Sequence, residues 1–319
     1  MKKMPKVKKA RNVVKTKKSR KVTKKKAVKK RSPRLIIFTI GFIFLMCMGV
    51  IAYKTFTSQP HSVVENPQTE MKKLPKKIAD QLSQAPAAAT LRVPILMYHY
   101  VEFVQDKSDT MRQLLDIEPP VFEAQMQTLK QAGYTFITAK ELGEAIDGKL
   151  QLPKNPIVIT FDDGHWDLDT VVLPILKKYN IKATAYIIPG FTGGSDFMSE
   201  AQIRDVIKSK LVEIGDHTVH HIALKDTSLA TDEYEVGESK KMLEDTYHIK
   251  VVSFAYPNGE FDEQSVQVVK QDGFSTAVST IPGIAQDQNN RFFLYRLRPG
   301  DRVGEELLSY LSSNAYQAY

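Results

Sequence analysis

The stretch Ile157-Val158-Ile159-Thr160-Phe161-Asp162-Asp163-Gly164 sets an apolar run directly against two adjacent carboxylates. The run reads as a buried strand. Two carboxylates at the end of such a strand cost free energy unless a cation or hydrogen bonds hold them. Successive strand residues point opposite ways, so the two groups could take different tasks. Asp-Asp-Gly is also good turn chemistry, and the stretch alone leaves both readings open.

Working outward, apolar runs of the same kind recur at 93–98, 183–188, 211–214, 251–255, 275–278 and 292–297. Helical periods lie between them. Phe122, Met126 and Leu129 share one helical face, as do Val172, Ile175, Leu176 and Tyr179, and again Ile203, Val206 and Ile207. Alternation of strand and helix argues for a mainly parallel sheet covered by helices. About seven such units over residues 92–319 fit a barrel better than a small open sheet. The predicted fold class is therefore α/β, an irregular (β/α) barrel of about seven parallel strands, preceded by a single transmembrane helix. In such barrels, polar residues at the C-terminal strand ends build the site.

A second polar cluster follows the run at 211–214: Gly215-Asp216-His217-Thr218-Val219-His220-His221. It holds three of the seven histidines of the chain, too dense a grouping to pass over. His217 and His221 are four apart, which on a helical turn puts both imidazoles on one face. One carboxylate plus two histidines is a common metal-binding set with positions left for water and substrate, and Asp163 is the natural third ligand. A pair of surface histidines is the plainer reading of the same spacing.

Thr160-Phe161-Asp162-Asp163-Gly164 followed by His217-Thr218-Val219-His220-His221 resembles the paired motifs of the polysaccharide deacetylases of carbohydrate esterase family 4, the NodB homology domain. The resemblance runs from about Arg92 to the C-terminus. It implies that Asp162 is the catalytic base. It also implies that Asp163, His217 and His221 hold a divalent metal ion, with Zn2+ foremost. A third motif, Arg-x-Pro-Tyr-Gly in many members, stands here as Ala255-Tyr256-Pro257-Asn258-Gly259. The oxyanion-holding backbone N–H would then belong to Asn258. The motif's arginine, which orients the base, is missing, and Arg296 at the end of the last strand-like run is the candidate to replace it. A late Leu-x-His motif is absent, since no histidine follows His248. The stretch Pro94-Ile95-Leu96-Met97-Tyr98-His99-Tyr100-Val101 is similar to the poly-N-acetylglucosamine deacetylase subgroup, where an early histidine takes the general acid's place. His99 is thus implied as proton donor, a role suited to an ordinary pKa near about 6.5. The implied function is metal-dependent hydrolysis of N-acetyl groups on an acetylated glycan polymer containing N-acetylglucosamine, either exopolysaccharide or peptidoglycan. The rivals are a non-catalytic glycan-binding or scaffold protein on a deacetylase-like domain and, among enzymes, an O-acetyl xylan esterase.

The chain of 319 residues is 42% hydrophobic and 25% charged, which suits a globular domain with extensions and excludes collagen-like and disordered classes. Its one cysteine, Cys47, excludes a disulfide framework. The net charge of +9 is a tail property. Residues 1–34 hold 18 of the 45 Lys/Arg and no acid, leaving 27 basic against 36 acidic residues, a net −9, in the remainder. No nucleic-acid partner is expected of an acidic globular part. Residues 35–53 (LIIFTIGFIFLMCMGVIAY) carry no charge over 19 residues, enough for a helix to span a hydrocarbon core of about 30 Å. The basic side stays cytoplasmic, in contact with anionic lipid, and the chain beyond Lys54 lies outside the cell. The expected organisation is a basic cytoplasmic tail (1–34), a membrane anchor (35–53), a stalk (54–91) and a deacetylase-like domain (92–319).

Overall fold

A computed structural model of the protein describes residues 74–84 and 89–315. The expected tail and anchor lie outside the described residues. Among the described residues, no helix is long and apolar enough to cross a membrane.

The apolar runs form strands because both their faces are covered. In chain order these are β1 (Leu91–Arg92), β2 (Ile95–Tyr98), β3 (Thr135–Ile137), β4 (Pro156–Phe161), β5 (Ala183–Ile187) and β6 (Val212–Asp216). They continue with β7 (Ser253–Ala255), β8 (Thr276–Pro282), β9 (Ala285–Gln286) and β10 (Leu294–Arg296). Seven of them run parallel in the order β2-β4-β5-β6-β7-β8-β10. A parallel bridge between Leu96 and Leu297 brings the first and last together. There the Met97 N–H donates to the Leu297 carbonyl at 3.0 Å, and the Leu297 N–H to that of Ile95 at 2.8 Å. The sheet is thus a near-closed barrel, and each of the seven sequence-predicted runs contributes one strand. β3 lies off this ring, parallel to the start of β4, and β1 pairs antiparallel with β9.

The two-residue period of a strand sorts the core into two layers. Ile95, Val158, Tyr186, Ala255, Val278 and Leu294 form one buried cluster, inside the ring. Their neighbours Leu96, Ile157 and Ile159 belong to the other, between strands and helices. Each fully buried Ile or Leu contributes about 1.5–3 kcal/mol relative to exposure. The predicted helical faces supply the outer side. Phe122, Met126 and Leu129 of the helix Pro119–Gln131 are buried, as are Ile203 and Val206 of Glu200–Lys208, which Ser199 and Gln202 cap reciprocally. Val172 ends a short π-helical turn ahead of the helix Leu173–Tyr179.

The segment read as a stalk contains structure. A helix covers Lys76–Gln84, with Leu74 and Ile78 buried in the outer core. Lys77 pairs with Glu263, and the Gln81 amide donates to Glu263 Oε1 at 2.9 Å. Two apolar residues four apart make too narrow a stripe to mark a helix in an otherwise polar sequence. Their burial comes from the barrel they meet.

Candidate metal and catalytic centre

The predicted site residues gather at one end of the barrel because each stands at or just after the C-terminal end of a ring strand. His99 follows β2, Asp162 and Asp163 follow β4, His217 follows β6, Asn258 lies three residues after β7, and Arg296 ends β10. The Asp162 N–H donates to the Tyr98 carbonyl at 2.9 Å, which ties the β4 end to the β2 end. The chain then turns sharply, with φ of +73° at Asp163 and +80° at Gly164. This turn sends the two neighbouring carboxylates to different partners.

Asp162 goes to arginine. Arg296 Nη1 and Nη2 donate to Oδ1 and Oδ2 at 2.7 Å each. Its Nε donates to the Ser279 carbonyl at 2.8 Å, and the guanidinium is fully buried. A buried fork-to-fork pair of this kind fixes both position and rotation of a carboxylate. Burial alone would push the Asp162 carboxyl up; the Arg296 guanidinium outweighs it and holds the group below its usual range. The arginine missing from the third motif is therefore supplied from another strand. Arg296 is buried and not an edge or surface residue.

His99 approaches the same carboxylate, with Nε2 4.0 Å from Asp162 Oδ2. Burial lowers its pKa to about 4, although Asp162 and Asp163 pull the other way. Burial thus favours the neutral ring over the ordinary histidine expected from sequence.

Asp163 goes to the histidines. Its Oδ1 lies 3.3 Å from His217 Nε2 and 3.3 Å from His221 Nε2. The ligand atoms of the three residues all fall within 4.8 Å of one another. Contrary to expectation, 217–221 is not a helical turn. It is an irregular loop with left-handed backbone at Thr218 (φ +65°) and His221 (φ +55°), and the loop brings the rings together at 4.8 Å between centroids. His217 donates from Nδ1 to the Ala255 carbonyl at 2.7 Å. That bond leaves the lone pair of a neutral imidazole on Nε2, facing Asp163. Asp163 Oδ1 is buried and accepts no hydrogen bond. Two imidazole edges meeting an orphaned carboxylate oxygen make a donor set that fits a divalent cation. Burial would raise the Asp163 carboxyl, but the hydrogen bond with His165 is foremost in holding it well below its usual range.

Asn258 is exposed, in left-handed backbone (φ +58°) next to Gly259 (φ +69°). A Cβ on Gly259 would fall 2.0 Å from Thr280 Oγ1, so the sharp turn Pro257–Gly259 admits no side chain there. His220, left without a role by the motif, donates from its backbone N–H to Glu235 Oε2 at 2.9 Å, and its Nδ1 lies 2.7 Å from Glu235 Oε1. Sequence reasoning overlooked His165. It is buried with Nε2 3.2 Å from Asp163 Oδ2, and only its place two residues after a candidate ligand could have signalled it.

The chain is similar to known proteins over this region. The family model for polysaccharide deacetylase matches residues 149–277, which include both aspartates and both histidines. A poly-beta-1,6-N-acetyl-D-glucosamine N-deacetylase of Staphylococcus aureus (strain MSSA476) is 25% identical over 280 residues, 84% of this chain and 95% of the relative. Among solved structures, the Streptococcus pyogenes deacetylase PplD in complex with acetate superposes with a TM-score of 0.65 at 30% identity, over 70% of this chain and 99% of that one. IcaB from Ammonifex degensii shares the fold at 21% identity, with a TM-score of 0.60 over 70% of this chain and 97% of that one. With its motifs at the strand ends and a relative matched over nearly its whole length, the chain belongs to the polysaccharide deacetylase family, carbohydrate esterase family 4.

Proposed function

We propose that the protein is a metal-dependent polysaccharide N-deacetylase that hydrolyses N-acetyl groups of an N-acetylglucosamine-containing glycan. The name of the staphylococcal relative and the Met97-Tyr98-His99 start favour an exopolysaccharide of that kind. The observation that carries the reading is the division of labour between neighbouring carboxylates. Asp162 is charged and clamped by Arg296, while Asp163 is turned to two imidazoles.

Asp163, His217 and His221 would hold the cation, Zn2+ foremost. When bound, it supplies Lewis acidity that lowers the pKa of water towards about 7 and polarises the acetyl carbonyl. Asp162 stays ionised and accepts the proton of the attacking water, while Arg296 keeps its oxygens in place. The backbone N–H of Asn258 donates to the oxyanion as the carbonyl carbon becomes tetrahedral. The C–N bond then breaks, acetate forms, and the nitrogen must gain a proton. His99, neutral at rest, relays the proton that Asp162 took up across the 4.0 Å gap to the departing amine.

In this reading residues 35–53 anchor the protein in the cell membrane, with the basic residues 1–34 inside against anionic lipid. Residues 54–91 connect to a catalytic domain (92–319) outside the cell. The uncharged 19-residue run behind 18 basic residues supports that orientation.

The test is acetate release by the purified full-length chain from partly acetylated glucosamine polymers, peptidoglycan and acetylated xylan. Release from the glucosamine polymer with Zn2+ or Co2+, lost in Asp162→Asn while metal binding persists, is the expected result. Full activity in Asp162→Asn, or polymer binding with no acetate release by the metal-loaded protein, would overturn the proposal.

A further inference from the structure

His165 is a buried histidine outside the triad, and its surroundings fix it from every side. Its ring lies against Tyr100 at 3.9 Å between centroids with planes 24° apart, and against Phe197 at 5.1 Å and 26°. The Arg112 guanidinium sits over the Tyr100 ring at 4.4 Å. The ring's Nδ1 edge faces the Asp196 carbonyl at 3.2 Å, and the same carbonyl accepts from the Trp166 N–H at 3.1 Å. Residues 165 and 197 form an antiparallel bridge, so the backbone fixes the ring's position as well. The Asp196 carbonyl already has the Trp166 N–H as donor, whereas Nε2 faces a carboxylate oxygen, so a neutral ring places its proton on Nε2, which points towards Asp163 Oδ2 at 3.2 Å.

The two oxygens of Asp163 therefore have separate neighbours. Oδ2 meets His165, whereas Oδ1 meets Nε2 of both His217 and His221. A free carboxylate could turn both oxygens to a cation, or swing away from it. One oxygen held by a rigid donor leaves the other presented alone.

We propose that His165 is a positioning residue that donates to Asp163 Oδ2 and presents Oδ1 singly to the metal. The proposal rests on the reading of Asp163, His217 and His221 as metal ligands. Groups that orient ligating carboxylates from behind typically carry about a 10- to 100-fold effect on metal affinity.

The experiment measures Zn2+ and Co2+ affinity of the full-length chain by competition with a chromophoric chelator, without substrate, in wild type, His165→Gln and His165→Met. The two variants lose the same ring and have similar volume, but only glutamine can place an N–H near Asp163 Oδ2. Affinity close to wild type in His165→Gln, and about 10- to 100-fold weaker in His165→Met, is the expected result. The visible spectrum of bound Co2+ should change in His165→Met and not in His165→Gln. His165→Phe, which keeps a ring between Tyr100 and Phe197, should reproduce the methionine result and controls for lost stacking. Wild-type affinity in all three variants, or equal weakening in His165→Gln and His165→Met, would overturn the proposal while leaving the triad intact. Wild-type protein that binds neither ion, or binds it equally after Asp163→Ala, would instead overturn the triad and this inference with it.

Discussion

Arg296, the last residue of the last ring strand, holds both oxygens of Asp162, the first residue beyond β4, at 2.7 Å each, although 134 positions separate them in the chain. The pair is buried, so neither charge has water to fall back on.

Removing the guanidinium should therefore be costly twice over. Arg296→Met is expected to lower kcat by about 10²- to 10⁴-fold, the usual share of a well-placed base. It should also destabilise the fold by about 3–5 kcal/mol by leaving a buried carboxylate unpaired. Adding Asp162→Asn to it should recover most of the stability and none of the activity. Denaturant melts and acetate release on the four proteins of this cycle check both parts. Unchanged stability in Arg296→Met would contradict the buried pair.

Chelator treatment should abolish acetate release, with recovery on adding Zn2+ or Co2+. Because the ligands come from two loops, the ion should also stabilise the fold, by about 2.7 kcal/mol at 100 times its Kd. His217→Gln should remove both effects. A thermal melting series over ion concentration is the direct measurement, and a midpoint indifferent to the ion would count against the triad.

The metal-stripped protein should lose stability on mild acidification, and His99 should account for part of the loss. Its folded pKa of about 4 lies below the unfolded value of about 6.5. Between those values the unfolded chain binds more protons, so stability rises with pH through the window and is complete above it. The difference amounts to about 3 kcal/mol, and His99→Gln should flatten the curve by that order. The comparison of wild type with His99→Gln between pH 4 and pH 7 isolates the term from the neighbouring aspartates. Parallel curves would show that His99 is not neutral at rest.

Gly259→Ala should be more damaging than an exposed turn substitution normally is. The backbone there has φ of +69°, and the new Cβ would strike the Thr280 side chain. The expected cost is about 1–3 kcal/mol, together with a fall in kcat because the neighbouring N–H of Asn258 shifts. Stability and kcat near wild type would separate this turn from the reaction.

The barrel was legible in the sequence because parallel strands covered on both faces must be written as apolar runs, and all seven ring strands were. β3 escaped notice because Thr135-Phe136-Ile137 is too short to show a period. The helix Lys76–Gln84 escaped because its buried apolar residues, Ile78 and Leu74 just ahead of it, make too narrow a stripe to show a period. At the centre, residue types and strand ends identified the aspartates and histidines. The helical spacing argued for His217 and His221 picked the pair that meets at Asp163, but through the wrong geometry, since a loop with left-handed residues brings them there. The lowered pKa of His99 could not be read from sequence, because it follows from burial that only the closed barrel creates. His165 had no spacing partner to reveal it; its neighbours Tyr100 and Phe197 come from distant loops.

The bridge between Leu96 and Leu297 has a consequence for biogenesis. A nascent chain halted before β10 would already possess the motif aspartates and histidines, yet nothing would neutralise Asp162 or seal the ring's seam. Any hydrolytic competence would thus wait for β10 to be made, and a product cut short before it should be inert instead of loosely active.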